Sequence, residues 1–243
     1  MGQGSHASAR SLDAIRARGV LRLCAHPNSL PFASKTGDPP GFQVELGRAL
    51  ASELSVTLET EWIVVPSQIF RADCDIVLDT IADPEAQADA GLQLSSPYYR
   101  AGVALAVPRG SGITSFADLN GRTKVGVQVG SLAAMMLDQR QVPTSPFGFE
   151  DDMLAALAAN EVDAAAVTPL AAGYYNLMHP SQAFTIVPPD ESLRDLVWNE
   201  AIGMRQPDDA LRGAIDAALA RLRADGIIDK IYARYGIALV PPR

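Results

Sequence analysis

The period of the apolar positions changes repeatedly along this chain. Short β-type runs give way to stretches with apolar residues at helical spacing, and then return. Ser11–Arg18 reads as a helix leading into a strand at Val20–Ala25. In GFQVELGRALASEL, Phe42, Leu46, Leu50 and Leu54 recur at helical spacing. VTLETEWIVV from Val56 and CDIVLDTIA from Cys74 predict the next two strands. SSPYYRAGVALAVPRG then predicts an extended segment that stops at Pro108 and Gly110.

From there the pattern restarts. SFADLNGRTKVGVQVGSLAAMML predicts a short helix, a strand at Lys124–Val129, a Gly-Ser turn and a helix beginning near Ser131. EDDMLAALAANEVDAAAV is an acid-started helix, a turn and a strand, and AFTIVPP is a further strand. The chain closes with an amphipathic helix that Asp208 and Asp209 start, Arg221 and Arg223 end, and Gly226 separates from a second helix. Strands alternating with helices predict an α/β chain of mostly parallel, helix-covered sheets. The restart after Pro108 predicts two of them.

Composition narrows the function. A length of 243 residues suits one large domain or two ordinary ones, and no apolar stretch reaches bilayer-spanning length. The net charge of −8 argues against a general nucleic-acid binder and against anionic membrane surfaces, though a local arginine cluster can still hold a small anion. MGQGSHASAR lacks the apolar core of a signal peptide and reads as a tag-like stretch ahead of a mature protein. Cys24 and Cys74 each adjoin a β-type run, so adjacent parallel strands can bring them within bridging distance. The expectation is a disulfide, and with it an oxidising compartment, against the alternative of two buried thiols. Neither cysteine belongs to a CxxC pair and the three histidines are scattered, which disfavours zinc.

Seven segments resemble, in this order, the family-3 extracellular solute-binding proteins, the two-lobed type II periplasmic binding proteins. They are LRLCAHPNSLPF, GFQVELGRALASEL, CDIVLDTIADPE, LQLSSPYYRAGVALAV, KVGVQVGS, NEVDAAAVTPLAAGYY and ALARLRADGIIDKIYARYGI. The resemblance implies a discontinuous first lobe of residues 11–105 plus 200–243 and a second lobe of 106–199. It places hinge crossings near Ala104–Pro108 and Trp198–Met204, with ligand in the cleft, a periplasmic location and a monomer. It further implies a small-molecule ligand, an ABC permease partner and no catalytic cofactor. The same fold hosts dehydratases and transglycosylases, but Asp83 and Glu200 are the only acids suited to such chemistry, so the expectation is not an enzyme.

Two departures bear on the ligand. Amino-acid binders of this family place an arginine ahead of the SxPY segment to hold the ligand carboxylate. That position falls at about Ala88, where ADPEAQADAGLQL has no basic residue. They also place an aspartate where this chain has Thr168, so an ordinary α-amino acid is expected to be a poor ligand. The opening motif resembles the LRVCADPNNLPF start of binding proteins encoded beside quinoprotein alcohol dehydrogenases in methylotrophs, with His26 in place of the usual aspartate. Cys24, Pro27, Asn28, Leu30, Pro31 and Phe32 carry that match. It implies pyrroloquinoline quinone as the bound ligand, or a quinoprotein dehydrogenase as partner.

The expected ligand residues follow from this resemblance. At least one of Tyr98, Tyr99 and Arg100 would touch the ligand, by a ring or a planar fork, with one tyrosine in the core and Arg100 solvated as the alternative, and Trp198 would offer a stacking face at the second crossing. Gln128, Gly130 and Ser131 would offer a strand–turn–helix anion site, with a plain Ser131 cap as the alternative. His26 and Asn28 would line the loop after the first strand, His26 either donating to an anion or bracing the Pro27 turn. Thr80, Asp83 and Thr168 complete the set, Asp83 with a capping role as its alternative. Arg71 is a weaker candidate, and Trp62 is expected in the core.

Overall fold

The protein is described by a computed structural model covering residues 10–88 and 91–243. The tag-like stretch, all but Arg10, lies outside the described residues. In chain order the first elements are α1 (Leu12–Arg18), β1 (Val20–Ala25), β2 (Asn28–Ser29), β3 (Ala33–Ser34), α2 (Phe42–Glu53) and β4 (Thr57–Trp62). Next come β5 (Ile76–Ile81), α3 (Pro84–Ala88), β6 (Leu92–Leu94), β7 (Tyr99–Gly102) and β8 (Ala104–Val107). They are followed by β9 (Val125–Gln128), α4 (Leu132–Gln139), β10 (Thr144–Phe147), α5 (Glu150–Ala158), β11 (Ala164–Val167) and α6 (Pro169–Met178). β12 (Thr185–Val187), β13 (Val197–Arg205), α7 (Asp209–Ala224) and α8 (Ile227–Ala233) complete the chain.

The chain forms two compact units, each a sheet with helices packed on it. Among the described residues, unit 1 holds 10–99 and Asn199–Ile231, and unit 2 holds Arg100–Trp198 and Tyr232–Pro241. The chain therefore changes unit between Tyr99 and Arg100, ahead of the expected Ala104–Pro108, and again between Trp198 and Asn199. A third change follows Ile231, so the tail expected in the first lobe clusters with unit 2.

The sheet of unit 1 runs β4-β1-β5-β13-β6. β1 is parallel to β4 and β5, whereas β13 is antiparallel to β5 and β6, so the sheet is mixed. Helix α1 starts where the Ser11 hydroxyl accepts from Ala14 N at 3.1 Å, and stops at Gly19 in the left-handed region. α2 buries Phe42, Leu46, Leu50 and, at its C-cap, Leu54, as their spacing predicts. α7 buries Leu211, Ile215, Ala218 and Leu222 behind an Asp208 cap. Trp62, expected in the core, ends β4 half-buried.

Cys24 and Cys74 form the disulfide, with their Cα atoms 5.4 Å apart. β1 and β5 are parallel neighbours, and Cys74 lies just before β5 while Cys24 faces Val77 in register. The bridge packs with Ile69 and Leu92 in a small apolar cluster. Beside it Asp75 is fully buried. Its carboxylate accepts from Arg18 at 2.5 Å, Arg22 N at 2.9 Å and Arg10 at 3.3 Å, so the buried charge is paired.

The sheet of unit 2 runs β10-β9-β11-β8-β12. β9, β10 and β11 are mutually parallel, and β8 is antiparallel to β11 and β12. One apolar cluster, with Leu105, Val125, Val127 and Leu137, packs one face. A second, with Met153, Leu157, Val167 and Phe184, packs the other. The tail joins this unit by backbone: Arg100 N donates to Val240 O at 2.8 Å, and Gly173 and Gly236 approach too closely for a side chain on either.

Candidate functional site

In open α/β sheets, ligands sit beyond the carboxyl ends of parallel strands. Each unit has such an edge. In unit 1 it gathers the residues after β1, β4 and β5. His26 is half-buried there, and its Nδ1 accepts from Asn28 N at 3.2 Å, which braces the Pro27 turn. Asn28 pairs with Ser34 between β2 and β3 and is exposed. Thr80 is buried and donates to Val77 O, while Asp83 accepts from Glu85 N at 3.0 Å and Ala86 N at 3.2 Å, which starts α3. Asp83 thus takes the capping role and Thr80 faces the sheet. Glu200 is buried in β13, and Arg71 is exposed after a short 3-10 turn.

Tyr98, Tyr99 and Arg100 each have partners within the fold. Both tyrosines are buried, edge to face at 5.0 Å. Their hydroxyls donate to Asp79 Oδ1 at 2.5 and 3.1 Å, and Gln43 Nε2 donates to Asp79 Oδ2 at 2.6 Å. Asp79 adopts a positive φ of 52° inside β5, a backbone state that costs a non-glycine residue roughly 1 kcal/mol or more. Its hydrogen bonds hold it there, so the acid anchors both rings. Sequence reasoning missed Asp79 because its position inside an apolar run gives no local signal. Arg100 holds Glu191 through two nitrogens, the closest contact at 2.7 Å, and Arg243 reaches the same carboxylate at 3.2 Å. Its fork is thereby taken up within unit 2.

The carboxyl edge of unit 2 brings together Gln128, Gly130, Ser131 and Thr168, because β9 and β11 end side by side. Ser131 caps α4, its hydroxyl accepting from Ala134 N at 3.1 Å while its amide donates to Gln128 O at 3.1 Å. The amides of Gly130 and Leu132 have no partner among the described residues. Gln128, Val129 and Gly130 are exposed around them. Trp198 lies half-buried at the start of β13, where the chain leaves unit 2.

Thr168 caps α6 by accepting from Ala171 N at 3.2 Å. Its amide and hydroxyl both donate to Glu150, to Oε1 at 2.5 Å and to Oε2 at 2.9 Å. Glu150 opens α5, the helix that connects β10 to β11, and sequence reasoning had not singled it out. Burial raises its carboxyl above the ordinary glutamate range, against the two Thr168 hydrogen bonds that lower it. An acid therefore stands at the edge position where the sequence had suggested none. Among the described residues, no cluster of histidine, cysteine or acid is suited to a metal ion, and no helix is long and apolar enough to cross a membrane.

Comparison with known proteins extends these observations. A probable histidine-binding protein of Neisseria gonorrhoeae is 26% identical over 96% of this chain and 88% of its own length. The arginine-binding extracellular protein ArtP of Bacillus subtilis is 29% identical over 84% of this chain and 81% of its own. The solved structure of an ancestral cationic amino acid solute-binding protein superposes with a TM-score of 0.79 at 25% identity, covering 93% of this chain and 99% of that one. These relatives are binding proteins, and solute-binding proteins of this kind need no catalytic cofactor. The sequence pattern of one family spans residues 21–238, through the sheets of both units and the helices between them. On that match and on the fold, the chain belongs to the bacterial extracellular solute-binding proteins, family 3.

Proposed function

We propose that this chain is the extracytoplasmic receptor of an ABC importer for a small polar solute bearing an amino or guanidino group. Glu150 carries the reading. Thr168 had suggested that no acid was available for a ligand cation, yet the Glu150 carboxylate rests on the Thr168 amide and hydroxyl. Those two bonds leave room on a carboxylate, which accepts about four when ionised. The Gly130 and Leu132 amides on the same edge, at the start of α4, suit an acceptor group of that solute. The relatives named for histidine and arginine support the cationic class, and the disulfide fits an oxidising, extracytoplasmic compartment.

The quinone reading has less support. Besides the opening motif it drew on Trp198, His26 and the Gly130–Ser131 amides, and on Tyr98, Tyr99 and Arg100, of which the last three are engaged with Asp79 and Glu191. A quinoprotein dehydrogenase as partner is suggested by the opening motif. Calorimetric titration with arginine, lysine, histidine, simple diamines and pyrroloquinoline quinone tests the proposal. The expected outcome is saturable binding of an amine-bearing solute, weakened roughly tenfold or more in Glu150→Gln by loss of a charge-assisted contact. Binding of the quinone alone, or amine binding unchanged in Glu150→Gln, would overturn it.

A further inference from the structure

We infer that unit 2 carries a second site, for a small multivalent oxyanion of the phosphate class, at the sheet edge opposite Glu150. β8 runs antiparallel to β11, so the turn after β8 lands beside the residues that precede β9 and β11. Pro108–Gly112, Asn120–Thr123 and Asn160–Asp163 border a concavity of about 630 Å³ there, a volume typical of small-molecule sites. Four-residue strands separate the two edges by roughly 13 Å, so the two sites share no residues.

Arg109 and Arg122 line this concavity, and neither guanidinium has a hydrogen-bond or ion-pair partner among the described residues. Two acids line it as well, but both are committed elsewhere. Asp118 Oδ2 accepts from Thr114 N at 2.8 Å, Thr114 Oγ1 and Ser115 N at 2.9 Å each, and Ser115 Oγ at 3.2 Å. Asp163 Oδ2 accepts from Lys124 N at 2.8 Å. Asp118 is thus held by amides and hydroxyls and Asp163 by one amide, and neither pairs with Arg109 or Arg122, which leaves both guanidiniums for an external anion. The intervening loop adds donors. Gly110 and Gly112 both have φ of 79°, open space where a side chain would stand, and amides without a partner among the described residues. Amides in such turns form concave donor sets for anions, and two planar forks match an anion with several oxygens. The chain's net charge of −8 gives no general attraction for anions, so binding here must come from these local groups.

The test is titration of the whole chain with inorganic pyrophosphate at low ionic strength, by calorimetry and by ¹⁵N NMR. The expected outcome is saturable binding that shifts the Gly110 and Gly112 amide resonances. Arg109→Gln and Arg122→Gln should each weaken it roughly tenfold, with thermal unfolding unchanged. A parallel arm uses phosphatidylglycerol and phosphatidylcholine vesicles. Arginine-dependent sedimentation with the anionic vesicles alone makes a lipid headgroup the source, and sedimentation with neither makes it a free anion. Absence of saturation in the millimolar range, shifts confined to other residues, or undiminished affinity in the double variant would overturn the site. Solute binding at Glu150 is read separately and is unaffected by any of these results.

Discussion

Breaking the Cys24–Cys74 bridge is a direct test of how unit 1 is held together. The two cysteines are 50 residues apart, and the chain between them carries α2 and β4. Cross-linking a loop of that length removes about 14 cal/mol/K of unfolded-chain entropy, or ~4 kcal/mol at 25 °C. A double Cys24→Ala, Cys74→Ala variant should lose somewhat more than the reduced wild type, by about 1 kcal/mol, because sulfur packed against Ile69 and Leu92 is also removed. The assay is urea unfolding followed by Trp62 fluorescence in a Trp198→Phe background, since a chain of two units need not unfold in one step. Oxidised, reduced and double-alanine proteins are compared, and the unlinked forms should also show a steeper denaturant dependence because their unfolded chains expose more surface. A loss below about 1 kcal/mol in both unlinked forms would refute the reasoning, because the crosslink would then be constraining nothing in the unfolded chain.

Gly41→Ala should cost at least 2 kcal/mol, since Gly41 has φ of 98° and an added Cβ would stand 2.4 Å from Phe32 O and 2.5 Å from Ala33 Cα; an unchanged urea midpoint would contradict this. Glu150 gives a pH signature of definite sign. Burial raises its folded-state pKa, so its stabilisation is full below the ordinary glutamate range and is lost as pH rises through that range toward the raised value. Glu150→Gln should flatten this segment of the stability curve, read from urea midpoints as pH is raised from the ordinary glutamate range upward. A parallel pH profile for wild type and variant would refute it.

Much of the fold was legible because apolar spacing is local. Phe42, Leu46, Leu50 and Leu54 share one face of α2 at the spacing their positions require, and the cysteines bracket neighbouring strands. The site was less legible because its partners are distant in sequence. Arg100 meets Glu191 across 91 residues, and Tyr98 meets Asp79 across 19, so neither pairing has a spacing signal. Glu150 follows β10 and Thr168 follows β11, 18 residues apart, and only the fold brings the two together. The sense of β13 was likewise hidden, since an apolar strand reads the same in either direction.

The position of β13 also governs when the protein can fold. The strand comes from the last quarter of the sequence, yet it lies inside the unit 1 sheet, between β5 and β6. Until it is synthesised, β5 has an open edge, β6 has no neighbour in that sheet, and Tyr98 N lacks the Glu200 carbonyl to which it donates at 2.8 Å. Closing such a non-local sheet is slow, because the loop entropy is lost before the pairing contacts form. A nascent chain of this topology therefore stays threadable through most of its synthesis.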